Sequence, residues 1–221
     1  MLTLARDVNA LLRHESGRVA APVRRRTLLM LLVLCGALYG AVMGSYGGFA
    51  GDRGLQVLIS ASKVPLLLLA TFVIALPSFF VLNTLLGVRA DFETVLRALV
   101  AAQASLTVVL AALAPYTGLW YVSFDEYRPA ILFNGVMFAL ASLAGQWHLR
   151  RAYRLLIARN PRHRLLLRSW LVLYVFVGIQ MAWVLRPFIG SPQAPAQFFR
   201  SGAWGNAYVV VARMIWDVVT R

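Results

Sequence analysis

Acidic residues are scarce in this chain, and cysteine is almost absent. Only 8 of the 221 residues are Asp or Glu, so the intramembrane carboxylates that carry protons in many pumps and transporters are missing from its apolar runs. The single cysteine, Cys35, excludes an internal disulfide and any metal site built from cysteines. It lies within the first apolar run, where burial accounts for it. The histidines His14, His148 and His163 are scattered and lie beside the edges of apolar runs. The sequence has no His-Glu-x-x-His, no phosphate-binding loop and no Gly-x-Ser-x-Gly elbow. It therefore predicts no enzyme, no cofactor and no metal centre.

What is present is apolar. The composition is 60% hydrophobic and 14% charged, with a mean hydropathy of +0.71, well above that of ordinary soluble domains. Runs at 27–44, 64–86, 95–116, 130–149 and 169–189 each approach the roughly 20 residues that cross a bilayer. Such runs must be helical in lipid, because unpaired backbone groups there are too costly. The expected fold is all-α: a polytopic transmembrane helical bundle of about five spans, with short amphipathic terminal helices. Residues 1–26 form an amphipathic, basic segment, with Leu4, Val8, Leu11 and Leu12 on one helical face. Arg24-Arg25-Arg26 before "TLLMLLVLCGALYGA" imitates a signal peptide. The preceding segment and the uncharged continuation to Gly51 favour a retained helix instead. The membrane domain covers 27–190. Residues 191–221 are expected to form a loop and an interfacial or re-entrant helix, since the 12 uncharged residues from Ser201 to Ala212 are short for a span.

The formal charge is +14, and its placement points to lipid headgroups rather than nucleic acid. Arg6, Arg13, Arg18, Arg24, Arg25 and Arg26 precede the first run. Arg89 and Arg97 lie between the second and third, and Arg150, Arg151, Arg154, Arg159, Arg162, Arg164 and Arg168 between the fourth and fifth. With five spans these segments share one side. The other side holds Asp52, Arg53 and Lys63 in one loop and Asp125, Glu126 and Arg128 in another. The positive-inside rule then predicts a multi-pass membrane protein with a cytoplasmic N-terminus. Arg150, Arg151, Arg154, Arg162 and Arg164 are the candidate contacts for acidic lipids.

Several polar residues interrupt the spans. Asn83, Gln103, Thr107, Asn134, Gln146 and Gln180 can either join helices or line a wet cavity. Pro77 predicts a kink in the second span. Gly36, Gly40 and Gly44 recur at four-residue spacing, a seam along which helices approach closely. Arg186 sits near the far end of the fifth run. It is read as an anchor at the membrane surface, as a partner for Asp125 or Glu126, or as an anion-binding group. Aromatic residues around it (Trp120, Tyr121, Phe124, Tyr127, Phe198, Phe199, Trp204 and Tyr208) fit an interfacial belt or a docking surface.

The phrases "LPSFFVLNTLLG", "RPAILFNGVMF" and "GIQMAWVLRPFIG" resemble sequences of uncharacterised bacterial membrane proteins. The five-span layout, with one end cytoplasmic and the other outside, resembles the Yip1-like membrane proteins. That resemblance implies a helical membrane fold and, in eukaryotes, trafficking contacts with small GTPases. This chain lacks the long polar N-terminal region typical there, so no role and no site residue is transferred. The expected function is a non-enzymatic scaffold or accessory subunit of a larger membrane assembly, partnered by lipids with anionic headgroups and by other membrane subunits or further copies of itself. The alternative is a small channel or transporter in which Gln103, Thr107, Asn134 and Gln180, with the Pro77 kink, face a polar interhelical cavity.

Overall fold

The computed structural model describes residues 24–48, 52–124, 126–190, 196–200 and 205–209. Most of the N-terminal amphipathic segment, Asp125, Trp204 and the chain beyond residue 209 lie outside the described residues. Among the described residues run the long helices α1 (Arg25–Gly44), α2 (Asp52–Leu85), α3 (Phe92–Ser123), α4 (Tyr127–Arg159) and α5 (Arg162–Leu185), with a 3-10 turn at Arg89–Asp91. Among the described residues, these five helices are long and apolar enough to cross a membrane. The protein is a multi-span membrane helical bundle.

The helices alternate in direction. One end of the bundle carries Arg24–Arg26, Arg89, Arg97 and the turn between α4 and α5, and is called the basic end here. Large apolar side chains such as Leu38, Val73, Leu143 and Val172 are more than half exposed along the helix sides. That is the surface expected of a protein solvated by lipid.

Two helix bounds differ from the sequence expectation. First, α2 begins at Asp52, so Lys63 lies inside a helix rather than in a loop. From Leu85 at the basic end to Lys63 is 22 helical steps, about 33 Å at 1.5 Å per residue, slightly more than the hydrocarbon thickness of about 30 Å. A span entering the hydrocarbon at Leu85 along the bilayer normal would place Lys63 level with the opposite headgroups and the first turns of α2 beyond the membrane. Second, α5 ends at Leu185, and Arg186 is the first residue past the helix. The α2 helix also runs continuously through Pro65 and Pro77, and Pro77 is exposed on its outer surface.

α1 is the hub, packing against both α2 and α3, while α3 packs on α4 and α2 on α5. α2 and α3 scarcely touch each other, and α4 and α5 meet only sparingly although they are neighbours in sequence. The bundle is thus an arc running α4, α3, α1, α2, α5, open between its two ends. The glycine seam builds the middle of this arc. A Cβ on Gly40 would stand 2.9 Å from Ala61 Cα and closer still to the Ser60 carbonyl oxygen, and one on Gly44 would stand 2.8 Å from Val57 Cα. Only glycine lets α1 and α2 approach this closely. The seam is therefore internal to the chain.

The basic end is closed by packing. Phe79, Leu99, Leu149, Tyr153, Leu166 and Trp170 form one buried cluster, with Trp170 edge-on to Phe79 at 4.9 Å between centroids. His163 is not at an exposed edge: it is fully buried, and its Nε2 lies 3.0 Å from Asp91 Oδ2. Beside it, Arg162 Nη1 donates to the Leu86 carbonyl at 3.0 Å. These contacts tie the α4–α5 turn to the link between α2 and α3.

Candidate functional site: two abutting cavities

Because α4 and α5 splay away from their shared turn, space remains between them. The larger cavity, of about 470 Å³, lies toward the aromatic end and is walled by Met43, Leu67, Tyr127, Ile131, Asn134, Gly135, Phe138, Ala182, Arg186–Ile189 and Arg200. The smaller, of about 270 Å³, lies deeper, among α2, α3, α4 and α5, and includes Thr71, Gln103, Ser142, Gln146, Trp170, Tyr174 and Gly178. Leu67, Phe138 and Ala182 belong to both walls, so the cavities abut across these three side chains. Ile131, Val175 and Ile179 line a cavity and are also exposed on the lipid-facing side. The space therefore opens sideways between α4 and α5.

The polar lining is sparse and specific. In the larger cavity Asn134 is buried; its Oδ1 accepts from Tyr39 Oη at 3.0 Å, and its Nδ2 donates to Tyr121 Oη at 2.7 Å. Thr117 Oγ1 donates to Tyr39 Oη at 3.4 Å, a second link from α3 beside Tyr121. In the smaller cavity Tyr174 Oη donates to Gln103 Oε1 at 2.9 Å. Thr71 Oγ1 and Gln146 Oε1 have no hydrogen-bond partner among the described residues. Buried polar atoms are ordinarily paired, so these two stand out as unsatisfied beside the cavity.

The aromatic end holds three cations around one strap of chain. Lys63 is fully buried. Its Nζ donates to the Pro187 carbonyl at 2.6 Å and to the Gln197 carbonyl at 3.4 Å, and it stands 5.1 Å from the Phe198 ring centroid. Carbonyl dipoles and a ring face stand in for a carboxylate partner. Ser60 Oγ donates to the Phe188 carbonyl at 2.5 Å, and Gln56 Nε2 to Ser60 Oγ at 3.0 Å. The strap after α5 is thereby fastened to the projecting start of α2. Arg186 lies with its guanidinium carbon 3.3 Å from the Trp183 ring centroid. Its Nε is buried without a partner among the described residues. Burial and the neighbouring Arg200 both push the Arg186 guanidinium below its ordinary value.

The residues singled out from sequence fall into different places. Gln103 and Gln146 line the smaller cavity, and Asn134 and Arg186 the larger. Thr107 and Asn83 are buried but bond their own helix, Thr107 to the Ala104 carbonyl at 2.9 Å and Asn83 to the Phe79 carbonyl at 2.9 Å. Gln180 bonds Gly205 and Ala207, holding the segment after the strap. Pro77 lines neither cavity. Glu126 is exposed and forms no ion pair with Arg186 among the described residues. At the basic end Arg150, Arg154 and Arg164 are exposed, and Arg151 lies 5.6 Å from the Trp147 ring centroid. Lys63 and Phe138 were missed. The signal for Lys63 was present: Gln56, Ser60 and Lys63 at i, i+4 and i+7 mark one polar helical face continuing beyond the apolar run.

No protein-family model, no curated protein and no solved structure matches the chain. The residue roles therefore rest on geometry alone. Among the described residues, no three His, Cys, Asp or Glu side chains gather into a metal-binding group.

Proposed function

We propose that the protein is a small membrane transporter that holds its substrate in the space between α4 and α5, with the basic end in the cytoplasm. The observation that carries this reading is the pair of abutting cavities, together about the size of known ligand sites of roughly 300–1,000 Å³. Their mostly apolar walls bear a few convergent polar groups, as binding sites do. The packed cluster at Trp170, Phe79 and Tyr153 closes the space toward the basic end, which agrees with a site reached from one side at a time. The scaffold reading draws on the lack of acidic residues in the spans, the aromatic outer face and the glycine seam, of which the seam is taken up within the chain between α1 and α2.

Purified protein in liposomes tests the proposal, read both as release of trapped small solutes and as movement of labelled lipid between leaflets. Activity above protein-free liposomes is expected. Ser142→Phe, which fills the smaller cavity, should lower it, and Leu143→Phe on the exposed face should not. Absence of both activities, or equal loss in the two variants, would overturn the reading.

A further inference from the structure

We infer that the larger cavity binds an anionic membrane lipid, with the Arg186 and Arg200 guanidiniums holding its acidic headgroup and its acyl chain lying along Leu67, Ile131 and Phe138. The inference rests on the transport reading, for which it names the class of substrate.

Charge is the first argument. Two guanidiniums share one cavity wall, and neither has a carboxylate partner among the described residues. Glu126, beside the wall residue Tyr127, is exposed and pairs with neither. Lys63 adds a third positive charge behind the strap, and its own donors are directed to backbone carbonyls, so it does not compete for the anion. Stacking on Trp183 fixes the plane of the Arg186 guanidinium, and a planar fork held in place suits a phosphate.

Depth and shape are the second argument. With α2 along the bilayer normal, Lys63 stands at headgroup level and bonds the carbonyl of Pro187, next to Arg186, so Arg186 lies at that level too. Below the arginines the wall is apolar and opens to the bilayer past Ile131. A free phosphate would gain nothing from that wall. A lipid can enter sideways with its chain still in hydrocarbon.

The test is native mass spectrometry of the full chain titrated with dioleoylphosphatidylglycerol or dioleoylphosphatidylcholine. The anionic lipid should bind about tenfold more tightly, the factor expected from one charged hydrogen bond. Arg186→Gln and Arg200→Gln should each remove about that factor, and Arg164→Gln at the basic end should not. Arg200 is exposed, so its variant carries the test even if the Arg186 variant fails to fold. Equal binding of the two lipids, or binding unchanged in the Arg200 variant, would overturn the inference. So would displacement of the lipid by millimolar inorganic phosphate, which would make the site one for a free anion. Binding is read without flux: arginine-dependent binding without liposome activity sinks the transport reading alone, and activity without such binding sinks this inference alone.

Discussion

Adding one methyl group at two neighbouring glycines of α1 should have opposite effects. At Gly40 a Cβ would meet Ala61 Cα and the Ser60 carbonyl carbon at 2.9 Å each. Carbon atoms prefer about 3.5–4.0 Å, so α1 and α2 would have to separate by roughly 0.6 Å or more. The obstacle is backbone, which cannot rotate away. Overpacking of this kind costs about 1–3 kcal/mol, and a backbone clash belongs at the upper end. Replacing Gly by Ala inside a helix returns about 1 kcal/mol of propensity. The net loss is about 2 kcal/mol, a fall of about 4–8 °C in Tm for a chain of this size. At Gly36 the same Cβ would stand 3.5 Å from Pro65 N and 3.6 Å from its Cα, which is ordinary contact. Gly36→Ala keeps the propensity gain and should raise Tm by about 2–4 °C. Thermal unfolding of both variants in one mild detergent measures the difference, from which the shared propensity term cancels. Equal Tm values, or a more stable Gly40→Ala, would refute the close α1–α2 seam.

Lys63→Met should loosen the strap on α2 while leaving the Ser60 bond to the Phe188 carbonyl. The Pro187 carbonyl loses a charged donor worth about 1.5–3 kcal/mol, and the expected result is a lower Tm together with faster protease cleavage between residues 186 and 200; an uncleaved strap would contradict the fastening role. Phe138→Ala should join the two cavities, raising liposome activity while lowering stability by up to about 3–5 kcal/mol; unchanged activity would show that Phe138 does not separate them. Asp91→Ala should leave the buried His163 ring without its partner, costing about 1–3 kcal/mol, read as faster amide hydrogen exchange across residues 86–92; unchanged exchange would show that the pair does not hold the basic end.

The spans were legible because hydrocarbon imposes a length and a composition on every crossing segment, and all five runs satisfy both. The ends of the spans were less legible. A charged residue ends an apolar window but need not end a helix, so Lys63 read as loop although α2 continues through it for three more turns toward Asp52. The glycine seam was legible as spacing, but its partner was not, because Ser60 and Ala61 lie in the part of α2 that the apolar window omitted. Gln103, Asn134 and Gln146 were found because amides are rare in spans. Phe138, Leu67 and Ala182 were not, since ordinary apolar residues become a cavity wall only when neighbouring helices diverge. That divergence follows from α1 standing between α2 and α3, a pairing that no local pattern encodes.

The basic residues at the two ends of the bundle differ in their surroundings. At the basic end Arg150, Arg154 and Arg164 are exposed, where each guanidinium is solvated and screened and one can replace another. At the aromatic end Lys63 and Arg186 have fixed places. Lys63 is buried on two carbonyls, Arg186 is stacked on Trp183, and Arg200 shares the cavity wall with Arg186. Orientation signals need only charge on one side, and positive charge on the opposite side works against them. Three cations held together on that opposite side therefore require a local cause. An acidic ligand arriving between α4 and α5, as proposed above, would supply one by neutralising the two arginines where the bundle is open.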